Sequence, residues 1–145
     1  ASRDAFDARA LLRRSDIDPA KLRFGFVVYG GANRKDWRTV SVDDVSVDGT
    51  ELRRQLFPTL RSATIPGPKE LVAWRDQLVS ECRDLLSVVL PLRPEELEFI
   101  EQLNEHGKIV PDLISTDTVM QAALRDHPAL QWKALNVKKH RGLRD

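Results

Sequence analysis

Two aspartates three residues apart, Asp4 and Asp7, form the first constellation that could do chemistry. On a helix that spacing puts both carboxylates on one face. Such a pair could hold a divalent cation or orient a nucleotide site, and Arg3 beside them could neutralise one carboxylate or meet a phosphate. The plainer reading is an exposed acidic helix face. The second constellation is a set of cations near the C-terminus: Lys133, Lys138, Lys139 and Arg141, joined by His140 and Arg144. Neighbouring cations of this kind give salt-sensitive, sequence-blind contact with nucleic acid. The structural alternative is that Lys138 to Arg141 occupy the last turn of a helix, where the helix dipole favours positive charge.

Other chemistry-bearing residues point to packing. No P-loop, GxGxxG or HExxH pattern exists in the chain. His106, His127 and His140 have no metal-like partner three or four residues away, so no metal ligand is assigned. Cys82 falls on an apolar helical stripe and reads as a small core residue. Trp74 reads as core and Trp132 as an anchor for the last helix. Trp37, between Lys35 and Arg38, could stack on a base; the alternative is a ring that pins a long loop.

The chain has 145 residues, 41% of them hydrophobic and 31% charged, with a net charge of +1. That suggests one helical domain over 1–145 with enough apolar surface for a core. No apolar run reaches the roughly 18 residues that suggest a membrane span. The opening Ala1-Ser2-Arg3-Asp4 is not a signal-peptide pattern, and a single cysteine forms no internal disulfide, so a cytoplasmic protein is expected. Charge is unevenly placed. Pro91 to Met120 carries two Lys/Arg against seven Asp/Glu, whereas Gln121 to Asp145 carries six Lys/Arg against two Asp. Either the two stretches complement each other within the fold or the basic tail meets a polyanion.

The elements that must position these groups are mostly α-helices. Asp4 to Arg14 reads as a helix that starts without a lead-in, which suggests further sequence upstream. Asp18-Pro19 caps and opens a second helix, apolar almost all round and therefore expected to be buried, that Gly30-Gly31 ends. Its β-branched and aromatic content also fits a strand. Residues 37–47 hold at most a short strand or extended segment. A helix from Asp48 to Leu60 carries Pro58 near its end, which should bend or stop it. The longest helix runs from Pro68 to about Leu90, with Leu71, Trp74, Leu78, Cys82, Leu85 and Val89 as its inner stripe. Pro94 opens the next helix, Gly107 caps it, and Leu97, Ile100 and Leu103 face inward. A turn at Asp112 to Ile114 leads to a helix capped by Thr116 or Asp117. Pro128 and Gly142 bracket the last helix, whose Leu130, Ala134 and Val137 share one face. The sum is a compact multi-helix domain of about seven helices.

The segments Asp36-Trp37-Arg38-Thr39-Val40-Ser41, Pro94-Glu95-Glu96-Leu97-Glu98-Phe99 with His106-Gly107, and His127 to Val137 carry a resemblance. Together with Pro111-Asp112-Leu113 they look like the C-terminal part of the AbiEii/AbiGii-type nucleotidyltransferase toxins, over about Arg3 to Arg141. The resemblance implies a longer two-lobed protein, with an N-terminal nucleotidyltransferase lobe that uses Mg and a nucleoside triphosphate. It also implies tRNA as an acceptor and an antitoxin as a partner, with no membrane role. The family's metal-binding signature, GSxxxDxD, is absent, so this chain alone should neither bind those cofactors nor catalyse transfer. Arg3-Asp4-Ala5-Phe6-Asp7 is similar to the RDxxD helix late in the family's catalytic half, which would give Asp7 and Asp4 a supporting catalytic role. The alternative is a stand-alone helical module that binds RNA or protein.

Overall fold

The computed structural model describes residues 2–14 and 16–142. These residues form seven α-helices joined by short 3-10 turns, and no strand occurs among them. Chain packing sorts the helices into two compact units, Ala1–Asp18 with Ser41–Leu90 and Pro19–Val40 with Pro91–Asp145.

The first unit is built on two helices, α1 (Ser2–Leu12) and α4 (Leu71–Leu86), which pack together. Between them in sequence lies α3 (Gly49–Glu51), which continues as a π-helical segment Leu52–Leu56. Asp48 starts α3 by accepting from the backbone N–H groups of Thr50 and Glu51 at 2.8 and 3.0 Å. Pro58 ends the helical run in a 3-10 turn at Phe57–Thr59, since its ring cannot supply the next N–H. Val47, Leu52, Leu56, Leu71, Leu78 and Cys82 form the core. Trp74 stacks on Phe6 and meets Phe57 edge-on. The long helix is shorter than its apolar stripe suggests. Lys69 and Glu70 form a turn before it, and Ser87 closes the far end by donating its hydroxyl to the Asp84 carbonyl at 2.6 Å.

The second unit holds α2 (Pro19–Ala32), α5 (Pro94–His106), α6 (Thr118–Arg125) and α7 (Pro128–Arg141). Val27, Val28, Phe99, Ile100, Leu103, Leu124, Leu130 and Ala134 are its core. Gly30 and Gly31 do not end α2; they lie within it. A Cβ on Gly30 would sit 2.6 Å from the Trp37 ring, and one on Gly31 would touch Leu103 and Phe99. The pair thus allows close approach on two sides of one helix. Burial of α2 is also less complete than its composition suggests, because Tyr29 is 68% exposed.

Residues 37–47 form two 3-10 turns, Trp37–Thr39 and Val42–Asp44, rather than a strand. The cause is local. The Asp36 carboxylate accepts from the Arg38 N–H, and the Ser41 hydroxyl from the Asp43 N–H, which turns the chain and removes those donors from any ladder. Asp117 caps α6, and Gly107 and Gly142 close α5 and α7 in the left-handed conformation, as their sequence positions imply.

Candidate functional site

Asp4 and Asp7 lie on the exposed side of α1, in the first unit. The opposite face carries Ala5 and Phe6 into the core, and Arg9 lies over the Phe6 ring while pairing with Glu81 at 3.2 Å. Asp7 pairs with Arg3 at 3.7 Å, with both side chains about two-thirds exposed (66% and 67%). A pair so open to water contributes little. Magnesium is held by one or two carboxylates with phosphates and water completing an octahedron. Among the described residues no group of three or more His, Cys, Asp or Glu side chains is placed to hold a metal.

The C-terminal cations belong to the second unit and have separate surroundings. Lys133 donates to the carbonyl of Asn33, the residue just past α2, at 2.7 Å. Desolvation lowers its pKa, against an upward pull from Asp36. Arg141 pairs with Glu105 near the end of α5. Lys138 lies along Gly107, so close that a Cβ there would fall 2.7 Å from both the Lys138 Cγ and the Ala134 carbonyl oxygen. Lys139 and His140 are exposed. The cations therefore do not form one patch: Lys133 and Arg141 join elements of the fold, and Lys139 faces water. Arg144 lies outside the described residues.

Arg141 is the end of a larger polar network that sequence reading did not find. Arg38 grips Asp36 through its Nε at 3.0 Å and its Nη2 at 2.6 Å, and the same Nη2 donates to Glu105 at 2.7 Å. Asn104 donates to Asp36 at 3.4 Å. Arg38 is first among the causes that hold the Asp36 and Glu105 carboxyls below their usual range, and the two acids in turn raise the Arg38 pKa. The network ties the Trp37 turn to α5 and α5 to α7. Trp37 itself meets Phe26 edge-on, with ring centroids 4.4 Å apart, and pins the turn to α2. The only sequence signal was Asp36 two residues before Arg38; the distant Glu105 partner had none.

Trp132 corrects the sequence reading. It does not anchor α7 but stands 55% exposed. Leu135 is 68% exposed, while Leu130 and Ala134 are buried on the opposite side of the helix. Trp132 and Lys139 lie seven residues apart, two turns along, and so share the outward face. Compared with protein-family models, curated proteins and solved structures, the chain matches none.

Proposed function

We propose that the chain is the helical C-terminal portion of a nucleotidyltransferase toxin of the AbiEii/AbiGii type, in a toxin–antitoxin or phage-defence system. In this reading it supports the active-site cleft and contributes RNA binding rather than catalysis. The metal-binding aspartates, the Mg and the nucleoside triphosphate belong to the N-terminal lobe of the longer protein, and the setting is cytoplasmic. One observation supports the RNA role most directly: the outward face of α7 carries an exposed tryptophan and an exposed lysine two turns apart. An indole ring in water is a stacking platform for an unpaired base, and the lysine can meet a phosphate along the same strand.

The reading is tested by fluorescence anisotropy of labelled tRNA and of a short single-stranded RNA, titrated with the chain at several salt concentrations. Trp132→Ala should weaken binding by about 1–3 kcal/mol, the worth of one stacked base. Lys139→Ala should flatten the log–log salt dependence by roughly 0.7–0.9, one phosphate contact. Wild-type chain with no measurable affinity for either RNA at low salt would overturn the RNA role.

A further inference from the structure

The first unit carries a cavity of about 470 Å3 between α4 and the stretch 45–47. Neither Asp4 nor Asp7 lines it. Three valines make its apolar part: Val45 and Val79 are half-buried, and Val47 is 8% exposed. Charged side chains of α4 make the rest, and two of them answer each other. Arg75 donates to Asp76 through its Nε at 3.0 Å and its Nη2 at 2.9 Å. The other two, Arg83 and Asp84, have no ionic partner among the described residues. The Arg83 Nη2 donates to the Asp43 and Val45 carbonyls at 3.3 and 3.1 Å, which holds that segment to α4. Its Nη1 has no acceptor among the described residues, and its Nε is buried without one. A half-buried guanidinium that no carboxylate answers is a place for an anion. The facing main chain is unsatisfied as well. Val45 and Asp48 are extended. Between them, neither the N–H nor the C=O of Ser46 and Val47 meets a partner among the described residues. For Val47, which is nearly buried, that leaves a donor and an acceptor at the cavity wall, where backbone groups are ordinarily paired.

We infer that this cavity binds a short peptide with both ends free, of dipeptide size. The ligand's carboxylate meets Arg83 and its ammonium meets Asp84. Its amide pairs with the Val47 main chain, and an apolar side chain lies on Val45 and Val79. Adjacent positions on a helix diverge by about 100°. A ligand that reaches both Arg83 and Asp84 therefore carries its charges farther apart than a single α-amino acid does, and a second residue adds about 3.8 Å. Pairing with extended backbone, a pocket for a side chain and capture of a terminal carboxylate are general means of peptide recognition. A nucleotide fits less well, because no aromatic ring lines the space for its base and Asp84 repels its phosphate. The inference concerns the other unit from α7 and can hold or fail without the RNA reading.

The test is an NMR titration of the whole 15N-labelled chain with the dipeptide alanyl-leucine. Its C-terminal amide, its N-acetyl form, free leucine and acetate serve as comparisons. Saturable shifts are expected at the amides of Val45, Val47, Val79 and Arg83 with the free dipeptide. Amidation and acetylation should each weaken binding by about tenfold or more, the loss of one charged hydrogen bond. Arg83→Gln should bind the free acid and the amide alike. Asp84→Asn, at an exposed side chain that holds no other element, should keep the helical circular dichroism and bind the free and acetylated forms alike. If Arg83→Gln loses its fold with the bonds to 43 and 45, Asp84→Asn alone decides. Trp132→Ala should leave dipeptide affinity unchanged while weakening RNA, which separates this inference from the preceding one. Absence of saturable shifts, or equal affinity for the free, amidated and acetylated forms, would overturn it. So would acetate giving the same shifts at the same concentration, which would leave an anion site only, or leucine binding as tightly as the dipeptide.

Discussion

At the scale of single residues, Glu96 is the clearest case of a side chain whose place was not legible in the sequence. Its position in the first turn of α5 suggests an exposed acid at a helix N-terminus. In the fold it is 7% exposed. Arg23 of α2 holds it with two bonds of 2.7 Å, and the Arg93 N–H adds a third of 2.7 Å. The Arg23 guanidinium also donates to the Pro91 carbonyl at 2.8 Å. Both side chains of the pair are close to dry, at 12% and 9% exposure. Removing one member of such a pair strands the other, so Arg23→Ala should cost about 3–5 kcal/mol in urea denaturation. Arg23→Met with Glu96→Gln should recover much of that loss, because neither charge is then left alone. A cost for Arg23→Ala below about 1 kcal/mol would mean that water screens the pair as it does a surface bridge. Periodicity cannot announce such a contact, because it marks the helix face a residue occupies and not the partner brought to it from 73 positions away.

At the scale of the element, α7 shows where sequence periodicity succeeds and where it stops. Pro128 at its start, Gly142 past its end and basic residues in its last turn are local signals, and each one stands in the fold. Leu130 and Ala134 face the core as their spacing implies. Trp132 and Leu135 are also apolar and widen the stripe in sequence, yet they face water. A helix buries only the arc its neighbours cover, and here α5 and α2 cover one side. Leu130→Ala should therefore cost about 2–5 kcal/mol, the range for a large core side chain replaced by a methyl group. Leu135→Ala should stay within roughly 0.5 kcal/mol. Urea denaturation of the two variants checks this, and equal losses would show that the exposed leucine packs against something in solution.

At the scale of the whole molecule, charge placement gives a dependence on pH. Asp36 and Glu105 are held below the usual carboxylate range in the folded chain, chiefly by Arg38, and Glu81 is lowered chiefly by Gln77 with Arg13 and Arg9 adding to it. Unfolded, these groups take up protons near their ordinary values of about 4. The unfolded chain therefore binds more protons than the folded one as pH falls through that region. The stabilisation is complete above it and drains away as pH drops through the lowered folded values. Thermal melts should show a Tm nearly constant from neutral to mildly acid pH and falling steeply below about 4. Asp36→Asn should make that fall shallower, and an unchanged acid limb would remove the network from the account. Sequence by itself determined the helical class, the stop near Pro58, the helix start at Asp48, the glycine caps at Gly107 and Gly142, and the core roles of Leu78, Cys82 and Leu103, because each of these follows from a residue and its near neighbours. No helix among the described residues is long and apolar enough to cross a membrane, which its apolar runs already implied. Tertiary structure alone decided that 19–40 packs with 91–142 while 2–18 packs with 41–90. It alone closed Arg38 onto Glu105, and it left Trp132 in water. Those outcomes depend on which distant surfaces meet, and the spacing of residues along a chain carries no record of that.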